Sequence, residues 1–278
     1  MRWILILLIP LSFNNLLGQT LLDRINSSRD EYGMTFVNND FVLFTRDKKI
    51  YFTKRMSDLW SEPVLVSFNS EYGDEYPSFD PVTNRLYFSS KRPRPKTSLP
   101  LMQNDIWYTR LIDTKWSNPI HLEGSFSTHG IDSGGFGIDD LIYFHSDRGG
   151  RGLNYVDIYQ SIIGSNVAEK LSISSDKVDG EVFLFGEGNA MLFMSGGHES
   201  IGNSDIFFSW KENERWQKPI PVDTTGIVNT TDWDYNPVLS HDEKTLYFTR
   251  YLDGQGDIFS IKLNELSSYT LLKRFLVE

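Results

Sequence analysis

Acidic and basic side chains recur at matched positions along this chain. Asp30, Asp74, Asp132, Asp179 and Asp234 each stand upstream of a short aromatic run, and Arg46, Arg92, Arg148, His198 and Arg250 each stand just beyond one. Counting back across a hairpin sets Asp74 opposite Ser90 and near Arg92. The same count pairs Asp132 with Arg148, Asp234 with Arg250, Asp30 with Arg46 and Asp179 with His198. Such a ring of charged groups can bind a polar ligand. Alternatively, two unequal carboxyl groups about 5–10 Å apart can cleave a glycosidic bond, one as acid and one as nucleophile or base. Glu75, Asp132, Glu181 and Asp234 are the acidic candidates for that chemistry. A feature written into every copy of a repeat more simply braces that repeat, so the five aspartates are expected to be structural. Asp105, Asp157, Asp205 and Asp257, each followed by Ile, are expected to accept loop N–H groups in Asx-type turns.

Other chemistry is sparsely represented. "DGQGD" (253–257) lacks the oxygen series of a calcium loop and reads as a hairpin turn. The histidines at 121, 129, 145, 198 and 241 have no zinc-ligand spacing, although His129, His145 and His198 are placed to converge on one face. There is no cysteine and no G-x-S-x-G elbow, so neither a thiol nor a hydrolase-type serine nucleophile is expected, and no cofactor. Residues outside the repeat are better candidates for contact with a partner. The basic, proline-rich stretch 91–104 supplies Arg92, Arg94 and Lys96; "TTDWDY" supplies Trp233 and Tyr235 beside carboxylates; Tyr76 lies near the matching register.

The elements that must position these groups are strands. Aromatics make up 14% of the chain, Gly and Pro are abundant, and alternation as in "LYFTR" outweighs any helical period. The runs "VLF" (42–44), "LYF" (86–88), "IYF" (142–144), "LFM" (192–194) and "LYF" (246–248) recur at intervals of roughly 44–56 residues. Each is followed by Asp-Ile, or Lys49-Ile50 in the first copy. Three copies close on Trp-x-x-Pro, at Trp60, Trp116 and Trp216, whose indoles are expected to fill the space between units. Four antiparallel strands per unit make one blade of a β-propeller, and neighbours must stack to bury its faces. The proline in the fourth strand is tolerable because that strand is the outer edge. Five blades are expected, with six as the alternative. Aligning Asp30 with Asp74 assigns residues 20–26 to the outer strand of the last blade, closing the ring, while "YTLLKRFLV" (269–277) competes to add a strand.

At "DWDYNPVLSHDEKTLYFTRYLDGQGDIFSIKL" (232–263) and "DEYPSFDPVTNRLYFSSKRP" (74–93) the chain resembles the WD40-like (PD40) repeat of TolB-type periplasmic propellers. The resemblance spans residues 28–263. It is weaker in the first copy, where Lys49 replaces Asp, and in the third, where Gly135 stands in place of Pro. What it implies is a fold and a family known mostly for binding and scaffold domains.

The start, "MRWILILLIPLSFNNLLGQ", reads as a secretory signal over residues 1–19, with an apolar run too short to span a membrane, followed by one propeller domain over 20–278. A formal charge of −10 without a basic stripe argues against nucleic acid as a partner. The reading is an exported, non-enzymatic propeller of the periplasm or cell envelope that binds another envelope protein or a glycan. The alternative is a carbohydrate-active propeller using carboxylates around its channel.

Overall fold

The computed structural model describes residues 20–150, 152 and 155–276; the expected signal segment lies outside them. Five antiparallel sheets follow one another along the chain. Their innermost strands are Glu31–Asn38, Asp74–Asp80, Asp132–Ile138, Asp179–Phe185 and Trp233–Leu239. Each pairs with the aromatic second strand, which pairs with a third, as in Asp74–Asp80 to Arg85–Ser90 to Asp105–Ile112. The innermost strands pack on one another in order, and Glu31–Asn38 also meets the fifth sheet, so the five blades close into a ring. The chain is a five-bladed β-propeller.

Apolar alternation in the second strands explains the stacking. Among the described residues five buried clusters each occupy one interface between neighbouring blades. Between blades two and three, for example, Tyr87, Ile106 and Leu122 meet Ile142, Phe144 and Tyr159. Trp116 turns its edge to Phe68 and Phe79 at ring-centroid distances of 5.8 and 6.3 Å, and Trp216 does the same to Tyr143 at 6.4 Å. Trp216 of blade four thus packs on blade three, and Trp116 of blade two reaches Phe41 of blade one at 6.4 Å while also packing on Phe79 of its own blade.

The Trp-x-x-Pro strand does not run unbroken. Leu59–Trp60 and Val64–Leu65 pair separately with the third strand, on either side of Pro63. Proline has no N–H to donate, and the edge is where that absence costs least. Blade three departs from the pattern because its glycines admit neighbours. A Cβ at Gly137 would sit 2.4 Å from the Tyr87 ring, and one at Gly135 would touch Ile106 at 3.0 Å.

Ring closure corrects one expectation. Residues 21–25 form a short helix, not a strand. Thr20 accepts from the Asp23 backbone N–H, and the Asp23 carboxylate accepts from the Thr20 N–H, a reciprocal cap that starts the helix. The segment still latches onto the last blade. Asn26 donates to the Ile258 carbonyl at 2.7 Å and accepts from the Ile258 N–H at 3.0 Å. Asn69 grips Ile50 and Asn229 grips Ile206 in the same way. Leu21 and Ile25 pack between blades five and one. As far as residue 276, the last described, the C-terminal stretch adds no strand. Helical turns over Leu263–Glu265 and Tyr269–Leu272 cover the interface of blades four and five through Leu263, Leu266 and Leu272. No described helix is long and apolar enough to cross a membrane.

Candidate functional site

Every blade opens with a buried acid, and the acids are Glu31, Asp74, Asp132, Asp179 and Asp234, all with no exposed surface. Glu31 takes the place assigned to Asp30. Each accepts the N–H of the residue four positions upstream, from Ser27, Ser70, Thr128, Ser175 or Thr230. A basic group clamps four of them: Arg46 on Glu31 at 2.5 Å, Arg92 on Asp74 at 2.6 Å, Arg148 on Asp132 at 2.5 Å and Arg250 on Asp234 at 2.6 Å. In each clamp the same guanidinium reaches a backbone carbonyl upstream, as Arg92 does at Phe68. In blade four Ser195 donates to Asp179, and His198 keeps only the second contact, at the Ile173 carbonyl 2.8 Å away. Burial raises the carboxyls of Glu31, Asp132, Asp179 and Asp234 above their ordinary range, against the lowering effect of these bonds.

The Asp-Ile aspartates do not share one role. Asp205 accepts the Ile201 N–H at 2.7 Å, the turn the sequence predicts. Asp105 instead takes both arms of Arg94, at 2.7 and 3.1 Å, together with His121 and Ser127. Burial acts to raise Asp105, but these donors outweigh it and hold it below the usual carboxylate range. Asp157 pairs with Lys170 at 2.8 Å, and Asp257 accepts from Gln255.

Two of the arginines expected to meet a partner are therefore engaged inside the protein: Arg92 on Asp74 and Arg94 on Asp105 and the Thr128 carbonyl. The 91–104 loop lies folded back, its Leu101 N–H on the Lys91 carbonyl. Lys96 stays exposed, as do Leu99 and Met102. Trp233 is 42% exposed, whereas Tyr235 and Tyr76 turn toward the ring axis.

Those two tyrosines belong to a site that the repeat conceals. In each innermost strand the register slips two residues after the acid, at Gly33, Tyr76, Gly134, Glu181 and Asn236, all with φ between 48° and 63°. This left-handed bulge turns one residue per blade toward the axis. The five line a throat of about 40 Å³. Above it opens a funnel of about 460 Å³ lined by Tyr32, Glu75, Tyr76, Asn104, His145 and Tyr235, with Asp30, Lys48, Tyr72 and Lys91 also on its wall.

The funnel side chains hold one another across blades. The Tyr32 hydroxyl donates to Glu75 at 2.6 Å, and the Asn104 amide donates to the other Glu75 oxygen at 3.1 Å. The Tyr32 and Tyr76 rings meet at 5.2 Å. In the throat the Asn236 amide donates to Glu181. Burial pushes the Glu181 carboxyl up to about 8; the Asn236 bond opposes the rise and the nearby Glu75 charge adds to it. Burial lowers His145 to about 4, so its ring is neutral at physiological pH. Burial and neighbouring carboxylates raise the phenols of Tyr32, Tyr76 and Tyr235. His145 fits because blades three and four carry glycine beside it: a Cβ at Gly134 or Gly180 would stand 2.7 or 2.9 Å from Nδ1. His198 and His129 do not line the funnel, so the three histidines do not converge. Among the described residues no group of three or more His, Asp or Glu is placed to hold a metal ion.

Of the four acids considered for glycoside chemistry, Asp132 and Asp234 are consumed in clamps, and Glu75 and Glu181 face the axis. Tyr32, Asn104 and Asn236 are not among the residues expected to bind, because each occupies a repeated position whose residue type changes from blade to blade. The available signal was the S/T-x-x-x-D/E spacing that places the acid, from which the axial residue follows two positions on.

Solved structures with this architecture do different things. TolB from Acinetobacter baumannii superposes with a TM-score of 0.55 at 13% identity, over 86% of this chain and 54% of that one, so the present chain spans about half its length. A chain of the nidogen/laminin complex gives 0.52 at 11% identity, over 86% and 79%. Hadza microbial sialidase Hz136 gives 0.50 at 12%, over 85% and 66%. At such identities the likeness establishes the propeller fold alone. No protein-family profile matches the sequence, and no curated protein matches it.

Proposed function

We propose that the chain is a binding propeller of the cell envelope, exported by residues 1–19, and that its ligand site is the funnel and not the 91–104 loop tip. One observation carries this reading. The groups around the axis differ from blade to blade, whereas the clamps behind them are equivalent in all but one. Repeated groups brace a repeat; unlike groups gathered in one concavity of ligand-pocket size, typically about 300–1,000 Å³, serve recognition. Tyrosines with an apolar face and a polar tip suit such a surface. Periplasmic or extracellular placement accords with the apolar start of the chain, which reads as a secretory signal.

The test is affinity capture from envelope extract by the immobilised protein, beside Tyr235→Ala and a loop-tip variant, Leu99→Ser/Met102→Ser. Loss of the retained partner in Y235A alone supports the funnel. Loss in the tip variant alone moves the site to the loop.

A second reading rests on Glu75 and Glu181. They are two carboxyl groups on one axis, and Glu181 holds its proton at neutral pH while Glu75 accepts two hydrogen bonds. An acid beside an acceptor carboxylate is the arrangement that glycoside cleavage uses. Release of reducing sugar from envelope polysaccharide, abolished equally by E75Q and E181Q, would establish it.

A further inference from the structure

The funnel and the throat beneath it hold acceptors that lack donors. The Asn104 amide is oriented by its NH2 group, which faces Glu75, and the Asn236 amide by its NH2 group, which faces Glu181. The carbonyl oxygens Asn104 Oδ1 and Asn236 Oδ1 are thereby directed away from both carboxyls. Both are buried and have no hydrogen-bond partner in the protein, and the same holds for Nδ1 of His145, a residue only 8% exposed. In the tautomer with its proton on Nε2, that nitrogen is a third acceptor. Glu75 and Glu181 add carboxyl oxygens, and Asp30 lies on the same wall.

A ligand matching this set brings donors and positive charge. An ammonium group has three donors and no acceptor, whereas a sugar hydroxyl brings an acceptor with every donor. The ring faces favour the same choice, because the negative face of an aromatic ring attracts a cation. Tyr32, Tyr76 and Tyr235 border the space, with the first two rings inclined at 52° to each other. Lys48 and Lys91 also lie on the funnel wall, Lys48 exposed to solvent, so the wall carries cationic groups as well as carboxyls. A lysine side chain entering ammonium first would set its apolar stem against those lysines. A polypeptide N-terminus would set its first carbonyl oxygens there.

Resting on the binding reading above, we propose that the funnel captures the free N-terminal ammonium group of a partner polypeptide, with Glu75 as its charge partner, the tyrosine faces around it, and Lys48 and Lys91 on the carbonyls that follow.

Isothermal titration of the purified protein tests this with four probes: trialanine amide, its N-acetyl form, Nα-acetyl-lysine amide and maltotriose. Trialanine amide should bind at least tenfold more tightly than each of the other three. E75Q should lose at least tenfold for trialanine amide while retaining the wild-type melting transition. Equal binding of the free and acetylated peptides, tighter binding of the lysine amide or the sugar, or no binding of trialanine amide would each overturn the proposal. Capture from envelope extract before and after amine acetylation separates this inference from the reading beneath it. A partner retained from both extracts leaves the binding propeller standing and removes the ammonium. Retention from neither removes both.

Discussion

Glu31 and Arg46 face each other across the first hairpin, 2.5 Å apart, with the carboxylate fully buried and the guanidinium reaching on to the Ile25 carbonyl. The carboxylate of Asp30, one residue earlier, accepts the Gly256 N–H at 2.8 Å, and the residue stays partly exposed. Removing one partner of a buried pair leaves the other charge uncompensated, which costs about 3–5 kcal/mol. Glu31→Ala should lower the stability from urea unfolding by that amount, and Asp30→Ala by about 1 kcal/mol. The reverse order would restore Asp30 as the brace of blade one.

The latch between Asn26 and Ile258 makes a second prediction. Asn26→Ala removes a donor and an acceptor together and leaves a buried backbone N–H and C=O of the third strand unmet. Stability should fall by about 2–3 kcal/mol. Amide exchange of Ile258 should accelerate more than that of Ile158, which belongs to a blade closed within itself. Uniform acceleration would mean that Asn26 is not the closure.

Much of this architecture was legible because each blade repeats an aromatic strand, followed by Asp-Ile in all but the first, and periodicity reports such strands directly. The offset in blade one was not legible by that route. Asp30 and Glu31 are adjacent acids, and only Ser27, four residues before Glu31, distinguishes them. Helix replaced strand at residues 21–25 because the Thr20–Asp23 cap is a local signal that alignment to another blade overrides. Arg94 reads as a free loop cation until the fold sets it on Asp105, a pairing that no period encodes. The funnel escaped for a related reason: the bond from Tyr32 to Glu75 crosses from one blade to the next.

Packing against His145 carries a third prediction. A Cβ at Gly180 would approach ring atoms Nδ1 and Cγ at 2.9 and 3.0 Å. Gly180→Ala should cost about 1–3 kcal/mol through overpacking. In a His145→Ala background the same substitution should cost little, giving a coupling of about 1–2 kcal/mol in a double-mutant cycle. Additive effects would show that the imidazole does not set this glycine.

Glu181 predicts the direction of a pH effect. Its carboxyl lies at about 8 in the fold against an ordinary 4.5, so between those values the folded state holds a proton that the unfolded chain releases. Raising the pH through that window therefore favours unfolding, and the loss is complete above the folded value. Glu181→Gln, which cannot ionise, should melt with a shallower pH dependence and exceed the wild type by about 1–3 kcal/mol above pH 8. Parallel melting curves would place an ordinary carboxylate in the throat.

A partner seated in the funnel, and not on the outer edges or the 91–104 tip, leaves a distinctive footprint. Hydroxyl-radical footprinting of the protein with its captured partner bound reads it residue by residue. Protection should fall on Tyr72, Tyr76 and Tyr235, with Leu99 and Met102 as reactive as in the free protein. Protection confined to Leu99, Met102 or the outer strands, with the funnel tyrosines unchanged, would contradict it.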